Sequence, residues 1–283
     1  MSRAGERWSF PAIGVGWHVD TPEPLPDEVR AAVAARIEAY DRVWSRFRED
    51  SLVTRIGREP GSWPLPAEAG PLLALYRTLY EATGGRMSPI ARRCAAAPPW
   101  SNAIAWTPAE PRTGGDAGAG GVLAAPRPVS LDVAAAGKGQ LADLVSGVLA
   151  EHGVAVHTVD ASGDIRRRGP ATRVALEHPL DETLAVGVVE LADGAIAASG
   201  QNRQPGHLVD ALTGLPIRTH LAAWAIASSA LVADGAATAV MLVADPDAVA
   251  ESLRPAWGRV EWARMDARGR LEVSDGFEGE VFA

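Results

Sequence analysis

Over residues 27–47 the apolar side chains Val29, Val33, Ile37, Tyr40, Trp44 and Phe47 recur at spacings of three and four. That period predicts an amphipathic helix with one buried face. A second helix is predicted over 68–80, where Leu72, Leu73, Tyr76, Leu79 and Tyr80 share a side and Gly84 and Gly85 supply a stop, since glycine takes positive φ at little cost. A third is predicted over 138–152, with Leu141, Leu144, Val145, Val148 and Leu149 in helical register and Gly153 after them. Further helices are predicted over 229–243 and 246–253. Short β-branched runs bounded by Gly, Pro and Asp predict strands at 128–133, 154–159, 173–176, 184–191, 195–198 and 221–227, and a closing hairpin over 259–273. The segment 98–121 is rich in Pro, Gly, Ala and Thr without either period and is expected to be a loop or degraded hairpin.

Composition narrows the choice of partner. The chain has 283 residues, 47% of them hydrophobic, enough to bury a sizeable core. Its formal charge of −8 argues against nucleic acid or an anionic membrane surface and favours a small ligand or a protein partner. Residues 1–17 mix charge, Pro and Gly and lack the apolar region of an export signal, and no run reaches the length of a membrane span. The one cysteine, Cys94, cannot form an internal disulfide, so a cytoplasmic location is expected. Lys138 is the only lysine. Codon usage accounts for the arginine excess but not for the one lysine that remains.

Four short runs could carry chemistry. Residues 130–139, SLDVAAAGKG, read as a strand, a small-residue turn and a helix start, an arrangement that presents backbone N–H groups and a helix dipole to an anion such as phosphate. The run lacks the first glycine of a Walker loop, and a packed strand-to-helix turn is the plainer alternative. Residues 160–165, DASGDI, form a loop in which Ser162 and Gly163 could touch a ligand, although an Asx or Ser turn is the commoner use. AASG at 197–200 precedes HLVDALTG at 207–214, where His207 could serve as base or relay with Asp210 three residues on. His18, His152, His157, His178 and His220 are read as structural. Last, ADGAATA at 233–239 puts Asp234 and Thr238 one turn apart on an apolar helix. Such oxygens must find partners, and they suit Mg²⁺ completed by phosphate oxygens; an internal hydrogen-bond role is the alternative.

In order and spacing these runs resemble the signature blocks of the FAD:protein FMN transferase family, the ApbE-like flavin transferases. WSRFREDS at 44–51 and GGRMSP at 84–89 resemble that family's N-terminal segments, so the likeness covers about residues 13–280. It implies an α+β fold in one domain, 1–283, with a helical N-terminal lobe packed on an antiparallel or mixed C-terminal sheet with helices and a T-fold-like core. The internal lobes would be about 1–97 and 122–283, joined by 98–121.

It also implies binding of FAD with Mg²⁺ and transfer of FMN to a Ser or Thr hydroxyl of a flavin-accepting target protein, releasing AMP. By the same resemblance the metal would be held by Asp234, Thr238 and the Gly137 carbonyl, Lys138 would sit beside the phosphates, and His207, supported by Asp210, would be the base. Met87, Asp132, Ser162, Gly163, Asp164, Ser199 and Gly200 would join Lys138 and His207 around FAD.

Some positions depart from the family pattern. MSP at 87–89 replaces Phe-Asp-Pro, Ala134 and Ala135 replace a glycine pair, Ser162 replaces the first of two glycines, and DALTG at 210–214 replaces Asp-Pro-Arg-Thr-Gly. Added side-chain atoms narrow backbone access to a ligand. A binding-only FAD protein and an FAD pyrophosphatase yielding FMN and AMP are therefore the alternatives to a transferase.

Overall fold

The structure, a computed structural model, describes residues 5–90, 95–109, 120–200, 206 and 208–282. It opens with a hairpin of β1 (Glu6–Ala12) and β2 (Val15–Thr21), a stretch in which the sequence pattern predicts no element. Ile13 and Gly14 both hold positive φ, 44° and 82°, the geometry a two-residue hairpin turn requires. Helices α1 (Asp27–Trp44) and α2 (Leu52–Ile56) follow, then β3 (Gly61–Leu65), α3 (Ala69–Ala82), the short α4 (Trp100–Ala103), β4 (Ala105–Thr107) and β5 (Gly121–Ala125). The main helix α5 (Ala134–Glu151) leads into β6 (His157–Asp160), β7 (Asp164–Arg168), β8 (Thr172–His178), β9 (Asp181–Leu191) and β10 (Ala195–Gly200). Two-residue strands β11 (Val209–Asp210) and β12 (Leu215–Pro216) precede β13 (His220–Ala227). The chain closes with α6 (Ala230–Leu242), α7 (Pro246–Trp257), β14 (Glu261–Asp266), β15 (Leu271–Val273) and β16 (Glu280–Val281).

The fold is mixed α+β. An eight-stranded sheet in the order β1-β2-β6-β7-β10-β13-β14-β15 forms its centre, and every strand pair among the described residues is antiparallel. The N-terminal part is thus not helical throughout, since β2 pairs directly with β6. On one face of the sheet lie α5 and α6, packed against each other, with α1 and α3 outside them. On the other face Leu176, Val186, Val189 and Leu191 of the sheet β16-β9-β8 meet Ile196, Trp224 and Met265.

Strand alternation explains the alanine-rich sequence of β10 and β13. Ile196 and Trp224 point to the second core, whereas Ala195, Ala197, Ala223 and Ala225 point to the helices. Methyl-sized side chains let α6 lie close on the sheet, and α6 answers with buried Ala230, Ala233, Ala236 and Ala237.

Several expected boundaries move. Residues 128–133 form no strand, although Val129, Leu131 and Val133 are buried in alternation. Their backbone bonds run instead to other loops, Val129 N to Ile56 O at 3.2 Å and Asp132 N to Pro89 O at 2.7 Å. The small-residue turn 134–137 is the first turn of α5. Within 98–121, α4 is an added turn of helix, and β4 pairs antiparallel with β5, in line with the hairpin alternative; 110–119 lie outside the described residues. Gly84 and Gly85, at φ 59° and 90°, end the α3 segment as expected.

Candidate functional site

The start of α5 is built to approach α6 closely. A Cβ at Gly139 would stand 2.1 Å from the Ala230 carbonyl oxygen and 2.7 Å from the Asp234 Cβ, so only hydrogen fits there. Through that gap the Gly139 amide donates to Asp234 Oδ2 at 2.9 Å. One turn along α6, Thr238 Oγ1 and Ser199 Oγ share a buried hydrogen bond of 2.9 Å, which ties α6 to the end of β10.

Lys138 reaches from α5 to β7, its Nζ 2.6 Å from Oδ2 of the fully buried Asp164. Neither Asp164 oxygen has a hydrogen bond of good geometry, so Lys138 and the neighbouring Asp234 carboxyl act on it mainly through charge. Burial pulls the Lys138 ammonium down, but the charges of Asp164 and Asp234 outweigh it and leave its pKa above the ordinary lysine value. Burial pushes Asp164 up, partly offset by Lys138. Burial, then the Asp164 charge, push Asp234 well above the carboxylate range. Two buried carboxyls beside one ammonium resist ionising together, and a bound cation would favour the ionised pair.

Asp160 shapes the loop beside this cluster, its Oδ1 accepting from Gly163 N at 2.9 Å while Ser162 and Gly163 hold φ of 58° and 100°. Under α5, Tyr40 directs its hydroxyl at the Gly137 carbonyl, 2.9 Å away, and at Gln140 Oε1, 3.0 Å away. The Gly137 carbonyl is therefore already engaged.

Other expected site residues are committed to structure. Asp132 Oδ1 accepts from Ala134 N at 3.0 Å at the start of α5, and its Oδ2 pairs with Arg46 at 2.9 Å. That pair joins the segments 44–51 and 130–139, which are distant in sequence. Asp210 pairs with Arg86, accepts from Leu212 N at 2.9 Å and organises the turn closed by Gly214 N. Met87 is buried, its amide donating to Thr83 Oγ1 at 3.0 Å. Gly200 ends β10. His207 lies outside the described residues.

Residues that the sequence reading did not single out complete the arrangement. Gly139 allows the helices to meet, and Tyr40 supports the first turns of α5. Asp143 accepts from Ala230 N at 3.0 Å and Leu231 N at 2.8 Å, at the start of α6. An acid on an otherwise apolar helix was the available signal for Asp143; a glycine beside the lone lysine was the signal for Gly139.

No group of three or more His, Cys, Asp or Glu side chains able to hold a metal occurs among the described residues. A carboxylate, a hydroxyl and a backbone carbonyl suit a hard cation that takes its remaining ligands from phosphate or water. Two buried carboxyls that share one ammonium fit such an ion, which would hold both ionised. A separate cleft of about 550 Å³, lined by His178, Val186, Leu271 and Phe282 among others, contains none of these residues.

A mixed α+β chain in which a half-buried lysine meets buried carboxyls from α6 and β7 defines the class of site. The ApbE family model matches residues 13–256, and the chain belongs to that family. It is 26% identical over 275 residues to a FAD:protein FMN transferase of Klebsiella pneumoniae, covering 84% of this chain and 76% of that one. It is 28% identical over 168 residues to one of Rhodobacter capsulatus, covering 55% and 30%. In fold it is similar to the flavin transferase ApbE of Vibrio cholerae, with TM-score 0.77, 20% identity and coverage of 96% and 98%. The apo flavinyl transferase ApbE of Pseudomonas stutzeri gives TM-score 0.73, 20% identity and coverage of 98% and 97%.

Proposed function

We propose that this chain transfers FMN from FAD to a Ser or Thr hydroxyl of a target protein in a Mg²⁺-dependent reaction that releases AMP. The observation that carries the reading is the meeting of the only lysine with two buried carboxylates where α5 crosses α6. Membership of the ApbE family and relatives named as FAD:protein FMN transferases support it.

In this reading Asp234 and Thr238 hold the cation, joined by the Gly137 carbonyl through its remaining lone pair. When bound, Mg²⁺ would neutralise phosphate charge and orient the transferred group. Lys138 places a compact positive charge against the phosphates, which the planar guanidinium of arginine would not reproduce. His207 takes the proton of the attacking hydroxyl. Asp210, held by Arg86, fixes the turn that follows His207. The loop at Ser162 and Gly163 and the strand end at Ser199 and Gly200 line the FAD. The target hydroxyl forms the new phosphate ester as AMP leaves.

The test is to incubate the protein with FAD, with and without Mg²⁺, and with a flavin-accepting domain. AMP release with a covalent FMN adduct on the target is the expected result. AMP with free FMN would assign a pyrophosphatase, and bound but intact FAD a binding protein. Asp234→Ala is expected to abolish Mg²⁺-dependent turnover while the fold persists, and full activity would remove Asp234 as a ligand.

A further inference from the structure

Asp164 opens β7, paired through its backbone with Ala197 of β10, and its carbonyl accepts from Ala161 N at 2.9 Å. The strand therefore anchors its carboxylate. A fully buried carboxylate without a hydrogen bond of good geometry is costly to the fold unless its charge serves another group. That group is Lys138, whose four-carbon stem is flexible and whose side chain remains partly exposed. Of the two partners, the short and anchored one can hold the long one.

We propose that Asp164 is a positioning residue that fixes the Lys138 ammonium beside Asp234, so that a phosphate-bearing ligand meets a charge already in place. The proposal rests on the reading of Lys138 given above. It assigns Asp164 no contact of its own with FAD, in contrast to the expectation from resemblance. Holding the ammonium in advance removes the cost of ordering that side chain on binding. The benefit falls only on ligands that carry phosphate.

Two measurements test it. Because Lys138 is the only lysine, ¹³C-lysine labelling gives one side-chain signal, expected to be shifted and broadened relative to free lysine in the wild type. A wild-type signal matching a freely rotating lysine would overturn the proposal without recourse to any variant. The second is binding of FAD and of riboflavin, which lacks phosphate, to wild type, Asp164→Asn, Asp164→Glu, Lys138→Met and the Asp164→Asn/Lys138→Met pair, with magnesium chloride present. Asp164→Asn is expected to weaken FAD about tenfold and leave riboflavin unchanged. Asp164→Glu should recover part of the loss, and the double variant should bind no more weakly than Lys138→Met. Unchanged FAD affinity in Asp164→Asn, additive losses in the pair, or equal weakening of riboflavin would overturn it. Failure of the wild type to bind FAD would overturn the proposed function and this inference together.

Discussion

The Gly139 amide donates to the Asp234 carboxylate at 2.9 Å across a helix crossing so tight that a methyl group at position 139 would stand 2.1 Å from the Ala230 carbonyl. Gly139→Ala must therefore push α5 from α6 or twist both. We expect a loss of about 3 kcal/mol or more from overpacking, read as a lower urea midpoint. Mg²⁺-dependent FAD binding should fall with it, because α5 carries Gly137 and Lys138 and would move away from Asp234 on α6. A variant as stable as the wild type would mean that the helices separate easily.

Asp143 accepts from the first two amides of α6, which places a carboxylate at the positive end of that helix. Replacing it by alanine leaves two donors without their partner, and a loss of about 2 kcal/mol is expected. Thermal melting checks this. Asp143→Asn should lose less, because its side-chain oxygen can still accept one of the two bonds.

His157 is fully buried, with Nδ1 donating to the Val154 carbonyl at 2.8 Å and Nε2 accepting from Ser146 at 2.7 Å. Burial holds its pKa below the ordinary value of 6.5. The native state then binds fewer protons than the unfolded chain between the lowered pKa and 6.5, so stability is fully present above 6.5 and lost as pH falls through that window. The melting temperature is expected to drop between pH 7 and pH 5. His157→Gln, which cannot titrate, should show a shallower drop, and an identical slope in both proteins would assign the pH dependence to other groups.

Removal of residues 1–21 deletes β1 and β2, bares the edge of β6 and strips Trp17 and Val19, both fully buried, from the core. The truncated chain is expected to be insoluble or unfolded, checked by soluble yield and circular dichroism. A folded truncated protein would show that the sheet from β6 onward is self-sufficient.

The long helices were legible in the sequence because their signal is local. The three- and four-residue period from Val29 to Trp44 and from Leu141 to Leu149 needs only one buried face, and the structure buries Val29, Val33, Ile37, Tyr40, Trp44, Leu141, Val145 and Leu149, leaves Leu144 and Val148 half-buried, and exposes Phe47 beyond the end of α1. The strands at 173–176, 184–191, 195–198 and 221–227 were legible as β-branched or small runs between turn residues. The N-terminal hairpin was not, because Pro11 and the charges of 1–7 mask the short alternation of Trp17 and Val19. Residues 128–133 failed in the opposite sense. Their alternation is real, but a strand exists only where a partner lies alongside, and here the backbone bonds go to Pro89 and Ile56.

For the candidate site, local spacing shows which groups are available: one lysine, an Asp and a Thr one helical turn apart, and a run of small residues at a helix start. What each of them meets depends on the packing of the folded chain. Lys138 meets Asp164 from another element, Thr238 meets Ser199, and Asp132 and Asp210 are taken up by Arg46 and Arg86. Spacing along the chain specifies a face, but burial and the crossing of α5 over α6 specify the distances, and electrostatics between buried charges depends on those distances.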